Sequence, residues 1–193
     1  TLIFEIDVDT LTNISIHKEK LSESAPERIW HELTLFFKVA KTLPLLKSMY
    51  DCGLLGCIFP ASSIDLARYE KMESLLNDPK ESFPEYADKL NNDAFLDKHY
   101  LIKISVLKNA NQECNLRLSN AESQLVEHAL NGTKSLTQVY LKNNPDQNET
   151  YELTLSIHEE LLASLILFIT DSDGSDIGER TLFCNRILKF YYD

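Results

Sequence analysis

Apolar residues recur every three or four positions along most of this chain, a spacing typical of amphipathic helices. The clearest case follows Pro26, where one helix face collects a set of apolar residues: Ile29, Leu33, Phe36, Phe37 and Ala40. Ser24 and Glu27 have the S-x-x-E spacing of a capping box, in which each side chain satisfies a free backbone amide at the helix start. Pro26 suits the first turn, where its missing amide is not needed. The pattern therefore predicts a helix capped by Ser24.

The next segment has the pattern of a shorter helix followed by an apolar plug. Thr42 and Pro44 open this helix, and Gly53 closes it because glycine adopts the left-handed conformation without a steric penalty. The residues predicted to point inward are Leu45, Leu46 and Met49. The plug consists of Leu54, Leu55, Ile58 and Phe59, and Pro60 ends the unit.

The rest of the pattern predicts an all-α fold with a short extended segment at the start. Residues 2–8 alternate enough to be extended, and Asp9 is then expected to cap a helix ending near residues 18–20. Ser119 and Glu122 form a second capping box, and Asn131-Gly132 is expected to end that helix. Further helices are expected at about 63–76, 85–91, 95–109, 134–142, 150–169 and 178–191. The polar segment 77–84 contains two prolines and is the predicted linker.

Composition and charge narrow the classes of function. Five glycines and six prolines in 193 residues disfavour a many-stranded β fold. The net charge of −11 argues against a strong general phosphate binder. Residues 1–60 carry only −2 of that charge, so any RNA contact is expected in the amino-terminal third. No apolar run reaches the roughly 20 residues of a membrane-spanning helix, and no secretory signal is visible. A cytoplasmic location without a membrane partner is therefore expected.

Residues that could bind a metal or carry out catalysis are scattered. The four cysteines lack metal-ligand spacing and are expected to be small buried side chains in a reducing compartment: Cys52, Cys57, Cys114 and Cys184. The histidines stand singly and form no metalloprotease or phosphohydrolase motif: His17, His31, His99, His128 and His158. The segment 171–176 begins like a calcium loop, but its glycine comes two positions early and position 12 is Leu182. A solvated turn is favoured there, and neither a catalytic residue nor a metal site is predicted.

Glu27, Arg28 and Glu32 are the charged residues of the first two turns of the predicted helix. In an active site such residues could act as a general acid, as a general base or as a clamp on a substrate. The favoured interpretation is structural: Glu27 completes the capping box, and Arg28 pairs with Glu32 four residues on.

The same segment, residues 24–33, resembles the S-x-E-R-I-x-x-E-L motif of bacterial class II tRNA nucleotidyltransferases, the CCA-adding enzymes, and of their poly(A) polymerase relatives. One residue is inserted or shifted here between Ser and Glu. Residues 46–55 are similar to the family's L-x-x-x-x-x-x-G-L-L, and residues 58–60 follow its pattern up to Ala61, where the family commonly has Glu. Residues 4–11 and 116–122 are similar to further family segments. The resemblance is specific over 1–60, patchy over 95–142 and absent near the carboxyl end.

The resemblance implies a neck-like helical RNA-binding region at 1–62 and a helical body at 63–193. The family's catalytic head carries G-S-x-x-R-D, D-x-D and R-R-D motifs, and its neck carries a nucleotide-selecting E-D-x-x-R. None of these occurs in the 193 residues. Mg²⁺ with CTP or ATP, and two-metal phosphoryl transfer, are thus implied for a head that this chain lacks. The chain alone is expected to be inactive and to hold no cofactor.

The expected partners are tRNA and the catalytic head of the same protein. Ser24, Glu27, Arg28 and Glu32 match the motif that braces the neck helices in the family. Lys38, Lys41 and Lys47 are candidates for RNA contacts, with ordinary solvated lysines as the alternative. CCA addition and poly(A) addition both stay open for the parent. A stand-alone helical protein-interaction module, or an enzyme of unrelated type with a site assembled from scattered residues, also stays open.

Overall fold

The computed structural model describes residues 6–59, 64–90, 97–107, 116–142, 146–157 and 160–192, and within these ranges every regular element is a helix. The all-α prediction is confirmed. The elements are α1 (Val8–His17), a 3-10 helix (Lys18–Glu23), α2 (Pro26–Phe37), α3 (Leu43–Asp51), α4 (Leu54–Ile58), α5 (Leu66–Asn77), α6 (Ala87–Leu90), α7 (His99–Leu107), α8 (Asn120–Tyr140), α9 (Gln147–Ile157), α10 (Leu161–Thr170) and α11 (Ile177–Tyr192).

Helix α1 begins earlier than the sequence predicts. Its N-cap is Asp7, whose carboxylate accepts hydrogen bonds from the Thr10 amide at 2.9 Å and the Thr10 hydroxyl at 2.6 Å. Asp9 lies inside the first turn, so the predicted cap is wrong by two residues. Of the predicted extended segment 2–8, Asp7 has extended backbone, Val8 is already helical, and residues 2–5 lie outside the described part.

The glycine stop after α3 is confirmed. Gly53 has φ +76°, and the Lys18 ammonium lies where a Cβ would be. Beyond it, Leu55, Ile58 and Phe59 are buried as predicted. Within α3, Leu46 is fully buried, whereas Leu45 is 41% exposed and does not point inward.

The core is centred on α10, in which nine of ten residues are buried. This helix packs against α5, α8 and α11. One cluster of buried apolar side chains runs from Trp30 in α2 to Leu188 in α11, so the amino-terminal helices and the rest share a core. The proposed boundary at 62–63 lies outside the described residues. The predicted linker contributes a buried side chain, Phe83, to this core.

No single helix within the described ranges is long and apolar enough to cross a membrane. Helices α9 and α10 reach such a length and composition only as a pair bent by 112°. The sequence predicts one helix over 150–169, but α9 ends at Ile157 and α10 begins at Leu161. Each of the two packs against α8.

The sequence predicts that Gly132 ends a helix, but Gly132 lies in the middle of α8. It is buried where α8 crosses α10 and the end of α9. A Cβ built on it would lie 2.7 Å from Ile157 Cγ2 and even closer to Ser164 Oγ. Glycine therefore permits close helix packing here, a role that its local sequence cannot distinguish from a C-cap.

We expect Gly132→Ala to destabilise the fold by about 1–2 kcal/mol. Overpacking in a dense core destabilises a protein by about 1–3 kcal/mol. The better helix propensity of alanine offsets at most about 1 kcal/mol of this loss of stability. Gly178→Ala is the matched control, because Gly178 is also helical but a Cβ there meets nothing within 4 Å. Urea unfolding followed by circular dichroism measures both variants. Equal midpoints for the two would show that the crossing has room for a methyl group.

Candidate RNA-binding surface

The start of α2 differs from the predicted capping box. Its N-cap is Ala25, which makes no side-chain cap, and Pro26 is the first helical residue. Ser24 instead ends the preceding 3-10 helix, and its amide donates to the Leu21 carbonyl at 3.0 Å. The prediction fails because this 3-10 helix already uses the Ser24 amide, and because Glu27 turns toward a distant partner.

That partner is Arg117, whose guanidinium forms an ion pair with the Glu27 carboxylate. Both side chains are largely exposed, so the pair adds little to stability. A hydrogen bond from the backbone amide of Glu27, together with Arg117, lowers the pKa of the Glu27 carboxyl. The pair joins α2 to the segment just before α8. Glu27 thus links α2 to a segment that lies 90 residues further along the chain.

Arg28 and Glu32 make no ion pair within 4.0 Å, with each other or with any other described residue. The predicted local pair is therefore wrong. Arg28 is instead one of four exposed residues spaced three or four positions apart on the outer side of α2. We call this set the outer face of α2: Arg28, His31, Leu35 and Lys38. It lies opposite the buried side of the same helix.

The three candidate lysines differ in their surroundings. Lys38 is exposed, with its ammonium 5.4 Å from the centroid of the Tyr100 ring. Lys41 is exposed in the turn between α2 and α3 and has no ion-pair partner among the described residues. Lys47 lies on α3, 3.7 Å from the Glu70 carboxylate, so its charge is partly balanced. Lys38 and Lys41 are therefore the stronger candidates for contacts to phosphate.

The buried side of α2 is fixed by Glu122, the N3 residue of α8. Its carboxylate accepts from Trp30 Nε1 at 3.2 Å, from the Tyr100 hydroxyl at 2.9 Å and from the Ser119 amide at 2.8 Å. The capping box predicted for Ser119 and Glu122 is confirmed. Burial raises the pKa of Glu122, but the donors outweigh it and the net shift is downward. One carboxylate thus caps α8 and anchors α2.

The turn between α2 and α3 is fixed by a buried set of polar groups from α5 and α7. Glu73 accepts from the amide and hydroxyl of Thr42 at 2.6 and 2.7 Å, and from the Leu43 amide at 3.2 Å. The Lys103 ammonium donates to the Val39 and Ala40 carbonyls at 2.6 and 3.1 Å, and lies 3.4 Å from Glu73. The hydroxyls of Thr42 and Tyr69 are also hydrogen-bonded, at 2.6 Å. We call these four residues the turn clamp: Thr42, Tyr69, Glu73 and Lys103. The clamp presents Lys38 and Lys41 on a rigid turn.

The described residues contain no group of three or more His, Cys, Asp or Glu side chains that could hold a metal ion. In the loop that begins like a calcium site, Asp171 pairs with Arg68, Asp173 accepts from Ser175, and Asp176 binds Ser172 and Arg180. These carboxylates are engaged within the loop and by its neighbours, as expected of a turn. Cys52 and Cys184 are buried, and Cys114 and His158 lie outside the described residues.

Several residues of this surface are not predicted by the sequence pattern. That pattern assigns Arg28 only a structural pairing with Glu32, although the exposed face of α2 follows the same three-and-four spacing as its apolar face. Glu73, Lys103 and Arg117 have no local signal, because each acts on a segment that lies 30 or more residues away.

Residues 3–64 match the family model described as the probable RNA and SrmB-binding site of polymerase A. The match covers about a third of the chain and contains α1 to α4, the outer face of α2 and Lys41. It supports RNA binding by this segment and does not distinguish CCA addition from poly(A) addition. No curated protein gives a significant match to the chain.

Proposed function

We propose that this chain is the RNA-holding part of a polymerase A-type nucleotidyltransferase, and that the outer face of α2 together with Lys41 contacts RNA phosphates. The observation that carries the proposal is the coincidence of the matched segment with three exposed cations, Arg28, Lys38 and Lys41, that have no carboxylate partner among the described residues. Arg28 and Lys38 are ten residues apart, roughly 15 Å along the helix, so together they span several nucleotides of a backbone.

The contacts that hold the backbone beside these cations favour RNA binding over the alternative that they are ordinary solvated side chains. Trp30 and Tyr100 fix the buried side of α2 through Glu122, and the turn clamp fixes the backbone beside Lys38 and Lys41. A cation on an ordered element loses less conformational entropy when it binds phosphate than one on a mobile loop.

In the parent enzyme, we propose that a catalytic head holding Mg²⁺ adds nucleotides from CTP or ATP to the RNA 3′ end, while this chain supports the RNA. tRNA is the substrate that we propose, with a poly(A) 3′ end as the alternative, because the motif in residues 24–33 is shared by CCA-adding enzymes and poly(A) polymerases. Of the residues expected to brace the neck (Ser24, Glu27, Arg28 and Glu32), we propose that role for Glu27, through its pair with Arg117.

We expect the triple variant Arg28→Gln, Lys38→Gln, Lys41→Gln to weaken RNA binding at least tenfold at low salt. The slope of log K against log salt concentration should flatten by about 0.7–0.9 for each phosphate that the variant no longer neutralises. Fluorescence anisotropy with labelled tRNA and labelled oligoadenylate, over a salt series, measures both quantities. Tighter binding of tRNA would support the CCA-adding parent, and tighter binding of oligoadenylate the poly(A) polymerase.

Lys134→Gln is the matched control, because Lys134 is an exposed lysine of α8 outside the matched segment. The control should keep the affinity and the salt slope of the natural chain. An unchanged affinity in the triple variant would reject the outer face of α2 as the RNA contact.

A protein-binding role for the same segment is the second candidate. Leu35 and Val39 are 52% and 57% exposed beside the cations, and the matched family description includes SrmB as well as RNA. Under this alternative, Leu35→Ser with Val39→Ser would abolish co-elution with purified SrmB in gel filtration and leave the RNA affinity unchanged.

A further inference from the structure

A groove of about 560 Å³ lies between the start of α9 and the second half of α11, well outside the segment that matches the family model. Its walls carry two aromatic rings that are partly exposed, Tyr151 at 52% and Phe190 at 40%. The ring of Phe183 lines the groove and is buried. Exposed aromatic rings facing a cleft of this size offer flat apolar surfaces on which another ring can stack.

The groove is positively charged although this part of the chain is acidic. Arg186 and Lys189 line it, and neither has an ion-pair partner among the described residues. The Arg186 guanidinium is 5.8 Å from the Phe183 ring centroid, which holds it along the groove. The carboxylate of the lining, Asp146, caps α9 by accepting from the Glu149 amide at 2.7 Å.

Glu149, three residues after Asp146, has a basic partner of its own. The Glu149 carboxylate pairs with Lys142 at 2.6 Å, outside the lining. The lining therefore holds two cations and one carboxylate, in a region beyond residue 60 whose net charge is −9. Such a reversal of charge beside aromatic rings is complementary to a ligand with a phosphate and a flat base, and it disfavours a purely apolar ligand.

We propose that this groove binds one unpaired nucleotide of an RNA strand, as a second contact beyond the outer face of α2. The base stacks on Tyr151 and Phe190, and Arg186 and Lys189 contact its phosphate. Gln147, exposed at the edge of the groove, offers an amide to the polar edge of the base. This inference rests on the proposed RNA-holding function, and it extends the contact surface from the matched segment to the far end of the chain.

The test compares two groove variants of the full chain by anisotropy with labelled oligoadenylate and with a blunt RNA duplex. Tyr151→Ala with Phe190→Ala removes both stacking surfaces, so it should weaken binding of the single strand about tenfold. Binding of the duplex, whose bases are already stacked, should change less than twofold. Arg186→Gln with Lys189→Gln should weaken binding of the single strand and flatten its salt slope by about 0.7 per phosphate, with a smaller effect on the blunt duplex, which has no unpaired nucleotide.

Leu182→Ala is the control, because Leu182 is 68% exposed on α11 and does not line the groove. Tyr151→Phe is a second control, which keeps the ring and should keep the affinity. An unchanged affinity in the Tyr151–Phe190 variant, with circular dichroism showing a folded chain, would overturn the groove proposal. An equal loss for single strand and duplex would overturn the stacking contact.

The two proposals fail in different ways. If the α2 variant loses RNA binding and the groove variants do not, the proposed function stands and the groove is not a contact. If the groove variants lose binding and the α2 variant does not, the groove stands and the RNA contact has been placed on the wrong surface. If neither loses binding, both proposals are wrong.

Discussion

Replacing Glu73 by alanine is expected to lower the free energy of unfolding by about 3–5 kcal/mol. Glu73 is 6% exposed and Lys103 is 2% exposed, so the variant leaves the Lys103 ammonium buried without its carboxylate. It also leaves the amides of Thr42 and Leu43, at the start of α3, without their acceptor. Burial lowers the pKa of Lys103 while Glu73 opposes that shift, which shows that the carboxylate stabilises the charged form.

Urea unfolding gives this free energy directly. Glu70→Ala is the matched control, since Glu70 lies on the same helix, is largely exposed and pairs with Lys47 at 3.7 Å. An exposed pair of this kind contributes about 0.5 kcal/mol or less. A Glu73→Ala variant as stable as the Glu70→Ala variant would mean that the clamp does not hold the turn.

The clamp also gives a functional expectation. Because Lys103 binds the Val39 and Ala40 carbonyls, loss of Glu73 should loosen the turn that carries Lys41. RNA affinity should then fall even under conditions where the variant stays folded.

The second large effect is a loss of stability in mild acid that depends on His99. Burial, with a smaller contribution from the nearby Lys103 ammonium, lowers the pKa of His99 from 6.5 to about 4. Between these values the unfolded chain binds a proton at His99 and the folded chain does not. The stabilisation is therefore complete above pH 6.5 and is lost as the pH falls toward 4, to a total of about 3 kcal/mol.

The measurement is the free energy of unfolding between pH 7.5 and 5, where carboxyl groups with lowered pKa, such as Glu122 and Asp176, stay ionised. The natural chain should lose stability over this range. His99→Gln cannot take up the proton, so its stability should be nearly constant there. Parallel curves for the two proteins would show that His99 is not the group responsible.

The sequence predicted those features whose causes are local. Gly53 ends α3 because its own backbone needs a positive φ, and Ser119 with Glu122 caps α8 because the two side chains are three residues apart. The all-α class follows from spacing, and the buried side of α2 follows in part. Leu33 and Phe37 are buried as predicted, whereas Ala40 is exposed and the buried Trp30 is not among the predicted residues. The resemblance of residues 24–33 to a nucleotidyltransferase motif is also a property of the local sequence. The match of residues 3–64 agrees with the general prediction from that resemblance, an RNA-binding region of the polymerase A family.

Where local signals had two interpretations, the tertiary structure decided between them. Gly132 has the sequence context of a helix end, but in the structure the side chains of Ser164 and Ile157 pack into the space that a side chain at Gly132 would fill. Ser24 and Glu27 have the spacing of a capping box. In the structure, however, the Glu27 carboxylate pairs with Arg117, and the Ser24 amide donates to a carbonyl of the preceding 3-10 helix.

The candidate sites depend most on the tertiary structure. Periodicity along the chain predicted the helical class and the approximate place of most helices, because those properties depend on neighbours within one or two turns. Only the folded chain could decide that Glu73 and Lys103 hold the turn of Lys41, or that Tyr151, Arg186 and Phe190 line one groove. Those pairings join residues some 30 or more positions apart. The spacing of residues within one helix does not determine which distant side chains that helix contacts.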